Sequence, residues 1–185
     1  MAIGACGGGG EPQNADETSG TFKVDMSATF PKKQSLAEDQ VFSLKVVNRS
    51  SETIPNVSAT VDGFYDRSTQ VGEADPQQAV WIVNRPPYGG VTALVNTYAL
   101  GPLPKGAEKT FTWHVTPVEA GKHTVRYSVS GSLYGKSKAV LADGGEPRGK
   151  IKVDIDGDAQ LTAVDPKTGD VVVTGQASGT SEDDN

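Results

Sequence analysis

Three aspartates at alternate positions, Asp154, Asp156 and Asp158, form the run D-x-D-G-D. Carboxylates this close together can hold calcium, a hard cation that takes about six to eight oxygen ligands. The rest of a calcium-binding loop does not follow, and Asp-Gly is also the dipeptide of a tight hairpin turn. The plain turn is the expected reading, so no metal is assigned and the three aspartates remain weak candidates. The two histidines, His114 and His123, are not matched by cysteines or further histidines at zinc-ligand spacing. A serine nucleophile needs a base and an orienting acid. Those residue types are present, but no G-x-S-x-G elbow carries them. Gly101 and Gly106 have the spacing of phosphate-loop glycines, yet Ala107-Glu108 stand where Lys-Ser/Thr is required. No catalytic residue, no cofactor and no enzymatic activity is expected. Asn48 and Asn56 each begin an N-x-S sequon.

Cys6 is the only cysteine of the 185 residues, so the chain holds no internal disulfide. The run Ile3-Gly4-Ala5-Cys6 resembles a bacterial lipobox, in which small residues precede a cysteine that becomes acylated after cleavage. The basic start and apolar stretch of a signal peptide are not present before it. Residues 7–20 are Gly, Pro, Asn, Ser and acid without apolar periodicity, a composition that cannot bury enough surface to order itself. Residues 1–20 therefore read as a disordered tether, with Cys6 as its lipidation point. A bacterial lipoprotein context argues against glycosylation at the two sequons.

What such a tether would carry is read from the period of the chain. In "FKVDMSATF" the residues Val24, Met26, Ala28 and Phe30 share one face, the mark of a half-buried strand, and Pro31 stops it. The same alternation sets Phe42, Leu44 and Val46 inward, then Val57, Ala59 and Val61, then Phe111, Trp113 and Val115. It recurs with Val125, Tyr127 and Val129, and with Ile151, Val153 and Ile155. His114, next to Trp113, is expected to face solvent. Turn residues separate these runs, at 48–51, 104–106, 120–122 and 156–157. No helical period is found over 11 or more residues. The pattern predicts an all-β, antiparallel sandwich.

The net charge of −6 comes from the ends of the chain. Three acids lie within residues 1–20 and three within 176–185, with no base in either, leaving 17 acids against 17 bases in 21–175. A neutral body argues against a nucleic-acid footprint, which needs a basic stripe. No apolar run approaches the roughly 20 residues of a membrane-spanning helix.

The stretch "VFSLKVVNRSSETIPNVSATVDG" resembles the first half of bacterial immunoglobulin-like domains of the cell-adhesion-related, CARDB-like type. There a strand ending in V-x-N is followed by a turn and a strand with V-x-V-D-G-like residues. "LGPLPKGAEKTFTWHVTPVEAGKHTVRYSVSG" resembles the second half, with an F-x-W strand, a Gly turn and a T-V-x-Y strand. Together the two cover about residues 22–143. The resemblance implies an immunoglobulin-like sandwich of about seven strands and an extracytoplasmic binding or scaffolding role, with no shared active site. The chain departs from the pattern by an insertion at 64–100, where a short connection is expected. That stretch holds Phe64, Tyr65, Trp81, Tyr88 and Tyr98, five of the twelve aromatics. "AVWIV" (79–83) and "TALVNTYAL" (92–100) within it read as two further strands, with Trp81 favoured for the core. After the sandwich (21–156), the run 157–175 reads as an appended hairpin with turns at Asp156-Gly157 and 166–169, and 176–185 as a disordered acidic tail.

The functional expectation is a non-catalytic, lipid-anchored adhesion or binding module outside the cytoplasm. It would contact an envelope protein or cell-wall glycan through Tyr65, Trp81 and Tyr88, residue types that make interface hot spots. The alternative is a structural spacer or assembly subunit of a surface complex.

Overall fold

The computed structural model describes residues 17–67, 77–94, 96–157, 159–169 and 171–177. In chain order its strands are β1 (Gly20–Thr29), β2 (Lys33–Ser35), β3 (Gln40–Asn48), β4 (Ser58–Asp62), β5 (Tyr65–Arg67), β6 (Gln77–Ala79), β7 (Trp81–Arg85) and β8 (Val91–Leu94). They continue with β9 (Thr97–Ala99), β10 (Glu108–Pro117), β11 (Gly121–Ser130), β12 (Ser137–Val140), β13 (Arg148–Asp156), β14 (Ala159–Val164) and β15 (Val171–Ala177). A five-stranded sheet runs β12-β1-β3-β10-β7 and a six-stranded sheet runs β2-β13-β11-β4-β9-β8. The alternating residues bury one face of each sheet against the other. Val24, Phe42, Leu44, Val46, Phe111, Trp113 and Val115 meet Ala59, Val61, Val125, Val129, Val153 and Ile155 in one core. The chain is an all-β, immunoglobulin-like sandwich.

Every strand face read from the alternation is the face that packs on the core, with Met26, Ala28, Tyr127 and Ile151 half-buried against it. Two details of the expected architecture are corrected. The sandwich is not wholly antiparallel and has eleven strands rather than about seven. β12 joins β1, and β2 joins β13, as parallel edge pairs. Both are strands of three or four residues that sequence period cannot detect.

The stretch 64–100, between β4 and β10, supplies the last strands of both sheets. β7 closes the five-stranded sheet on β10, and β9 with β8 closes the six-stranded sheet on β4. The single strand expected at 79–83 is interrupted, because the N–H groups of Val80 and Trp81 both donate to the Phe64 carbonyl at 3.0 Å. That at 92–100 is a hairpin, turned at Asn96 with φ +62°. Asp156-Gly157 closes no hairpin either: β13 pairs with β11 and β2, while β14 pairs with β15. The β14–β15 turn is held by Asp165, whose side chain accepts from the Lys167 N–H at 2.8 Å and whose carbonyl accepts from the Gly169 N–H at 2.8 Å.

The chain is already tied down before β1. The Glu17 carboxylate accepts from the backbone N–H groups of Tyr134 at 2.8 Å and Lys136 at 3.2 Å, and the Ser137 hydroxyl donates to the Thr18 carbonyl. Burial works against the Glu17 charge, but the hydrogen bonds from Tyr134, Ser132, Lys136 and Leu133 outweigh it and hold its carboxyl below the ordinary glutamate value.

Candidate functional site

β7 and β8 are the terminal strands of their sheets, and among the described residues no further strand pairs with their outer edges. Both edges lie on one side of the sandwich, flanking a cleft of about 310 Å³. Phe64 and Tyr65, Val83, Leu94 and Tyr98 line it, and Trp113 lies at its base. The Tyr98 ring stands edge-on to Trp113 at 5.9 Å. Burial, with a smaller contribution from Tyr65 nearby, pushes the Tyr98 phenol above its ordinary value, so it is neutral at physiological pH.

Exposed apolar side chains are frequent in the stretch that supplies these edges. Of the eight large hydrophobic residues exposed among the described residues, five fall between 65 and 94: Tyr65, Ile82, Tyr88, Val91 and Leu94. Tyr88 is the extreme case at 101% exposure. Its presentation is built locally. Pro86 and Pro87 stiffen the approach, and the Gly90 N–H donates back to the Pro87 carbonyl at 3.1 Å. Gly89 takes φ +70° at the third place of that turn, a conformation glycine adopts without strain. Pro87 itself is buried, so the turn is seated on the body while the ring at its tip meets only water.

The sequence-derived candidates separate here. Tyr65 and Tyr88 lie on this side. Trp81 presents no surface: it is 0% exposed and packs against Phe30, Phe64 and His123. Its indole N–H donates to the buried Gln34 side chain at 2.7 Å. Cys6 and Asp158 lie outside the described residues. Asp154 and Asp156 are exposed on the outer face of β13. In register Asp154 stands between Lys33 of β2 and Lys122 of β11, which offset its charge. No group of three or more His, Cys, Asp or Glu is arranged to hold a metal among the described residues. Ile82, Val91 and Leu94 were not singled out from the sequence, where they read as ordinary strand residues.

Both histidines face carboxylates. His123 is nearly buried between the Trp81 ring and Asp66, whose carboxylate lies 3.7 Å from Nδ1. His114, expected in open solvent, is partly covered on the outer face of β10. Its Nδ1 lies 3.0 Å from Asp39 and 3.1 Å from the Arg85 guanidinium. Asn84 donates to Thr116 at 2.7 Å and to Asp39 at 3.3 Å. The His114 hydrogen bond is the main reason the Asp39 carboxyl is held below the ordinary aspartate value. Among the described residues neither ring is hydrogen-bonded to a hydroxyl, so the cluster is a bracing network between β7, β10 and the segment before β3. The sequons are structural too. Asn48 is buried, and its amide donates to the Glu52 and Leu103 carbonyls at 2.8 and 2.9 Å. The Asn56 side-chain oxygen accepts from the Gly101 N–H.

No protein-family model and no curated protein matches the sequence. Among solved structures, the chain is similar to the CARDB domain of PF1109 from Pyrococcus furiosus. That crystal structure, in complex with di-metal ions, aligns at 10% identity and a TM-score of 0.48 over 78% of this chain and 97% of that one. A cohesin module of a Clostridium perfringens family 33 glycoside hydrolase aligns at 8% identity and a TM-score of 0.45, covering 74% and 98% of the two chains. Native alpha-2-macroglobulin from Escherichia coli aligns at 12% identity and a TM-score of 0.45, covering 80% of this chain and 21% of that one.

Proposed function

We propose that this chain is a non-catalytic binding module, held outside the cytoplasm by a lipid anchor at Cys6. It contacts an envelope protein or cell-wall glycan through the open side of its sandwich. The observation that carries this reading is the concentration of exposed Tyr65, Ile82, Tyr88, Val91 and Leu94 around two free strand edges. Singly exposed apolar residues are normal, but five of them on the two edge strands, the turn that joins them and the neighbouring β5 make this side a candidate contact surface. Tyrosine offers a large, stiff, amphipathic ring, and an edge strand offers main-chain hydrogen bonds to an extended partner segment.

Site-specific photo-cross-linking in the native host tests it. A photoreactive residue at position 88 forms an adduct with an envelope component; the same residue at Lys138, exposed on β12 at the opposite edge of the five-stranded sheet, does not. Digestion of the adduct by a protease or by a wall hydrolase tells a protein partner from a glycan. No adduct at 88, or the same adducts at both positions, contradicts the reading.

A further inference from the structure

Away from the open side, β11 and β13 carry a concentrated positive charge. Alternate residues of a strand share a face. Arg148, Lys150 and Lys152 of β13 therefore stand with Lys122 and Arg126 of β11 on the outer face of the six-stranded sheet, and all five are exposed. The ladder sets Arg126 directly opposite Lys150. Like charges at that position destabilise a sheet, so folding alone does not account for the arrangement. The body as a whole is neutral, which makes this a local concentration. Four acids border it. Glu146 pairs with Arg148 at 2.9 Å, Asp62 stands opposite Arg126 on β4, and Asp154 stands opposite Lys122 with Asp156 beyond it, so the positive charge is concentrated at Arg126, Lys150 and Lys152. Among the described residues Lys122, Arg126, Lys150 and Lys152 have no carboxylate within ion-pair distance. Ser128, opposite Arg148, is small and leaves room between the long side chains. The result is a shallow groove of about 430 Å³ bordered by Arg126, Arg148 and Lys150, with Tyr127 and Gly149 as its floor and Asp62 at its rim.

We propose that this face docks on anionic lipid headgroups and lays the sandwich against the membrane. Charge complementarity is one argument, and the path of the chain is the other. Glu17 is fixed to the loop that follows β11, at the end of the sheet where Arg148 begins β13. Residues 7–16, between that point and Cys6, extend at most about 35 Å. A chain anchored there keeps the basic face within reach of the headgroups. β8, and with it the open side, lies three strands beyond β11 and is left free for a partner. The inference rests on the anchor reading only for the path of the chain.

The test therefore uses the full, unacylated chain, so that its failure leaves the anchor untouched. Co-sedimentation is measured at low salt with vesicles of phosphatidylcholine, with and without phosphatidylglycerol. The protein partitions to the phosphatidylglycerol vesicles, and rising salt releases it because exposed charges are screened. Replacing Lys150→Gln with Lys152→Gln weakens the partition by about fivefold per lysine, with an unchanged melting temperature. The charge-matched pair Lys105→Gln with Lys138→Gln leaves it unchanged. Equal partition to both vesicles, no partition to either, or the same loss in both double variants overturns the proposal. Release by inorganic phosphate at constant ionic strength also overturns it, by making the groove a discrete phosphate site.

Discussion

Trp81 and Tyr88 lie seven residues apart and do opposite things. The Trp81 ring is enclosed by Phe30, Phe64 and His123, and its N–H satisfies an oxygen of buried Gln34. Trp81→Ala is expected to cost about 3–5 kcal/mol, as large-to-small changes in a closed core do. Trp81→Phe keeps most of the packing but leaves the Gln34 oxygen without a donor, at a cost of about 1–3 kcal/mol. Chemical denaturation of both variants checks the order. At Asp39 the argument turns on pH. The His114 hydrogen bond lowers the folded-state pKa, from an ordinary value of 3.8. The stabilisation is therefore complete above the unfolded value and is lost as pH falls through the lowered folded value. Asp39 is half exposed, so solvent screening keeps the effect small. Melting temperature against pH should fall less steeply below about pH 4 in Asp39→Asn than in the parent. Equal slopes would remove the pair from the account.

Among the elements, the long strands were legible in the sequence and the short ones were not. Phe42, Leu44 and Val46, or Phe111, Trp113 and Val115, alternate against polar neighbours over a full strand, and two-sided alternation has one buried solution. In "AVWIV" the residues are apolar on both faces, since Trp81 is buried while Ile82 lies exposed on an edge strand. Period alone does not tell which strand ends a sheet. The turn at Asn96 was hidden because its left-handed backbone is set by the pairing of β8 with β9 and by the Val61 N–H, which donates to the Asn96 carbonyl at 2.9 Å. The open side escaped for the same reason. Its residues come from segments that only the sheet order brings together, although Tyr65 and Tyr88 were visible as aromatics of a turn-rich stretch. Gly63 shows how tightly one element constrains another. It takes φ +102° just after β4, and a Cβ there would lie 2.4 Å from the Thr124 carbonyl of β11. Gly63→Ala is expected to cost about 1–3 kcal/mol from backbone strain, with the clash adding to it. Gly106→Ala, with φ +73° and open space around it, should cost less. Paired denaturation curves test that order.

The whole molecule presents two unlike surfaces. The open side offers rings and free strand edges, and the outer face of β11 and β13 offers charge. The lipid anchor predicts that the product of the complete native gene, purified from host membranes, has the intact mass of a chain beginning at an acylated Cys6. An unmodified Met1 start in the cytosol contradicts it. The central claim is that the open side contacts a partner without helping to hold the fold. Tyr88→Ala tests this most directly, because the ring is fully in solvent and its removal should change stability by no more than about 0.5 kcal/mol. The measurement is binding of the purified chain to the host's envelope fraction, parent against variant, with the melting temperature of each recorded alongside. Lost binding with unchanged melting is the predicted result. Unchanged binding would contradict the account and take Tyr88 out of the contact surface.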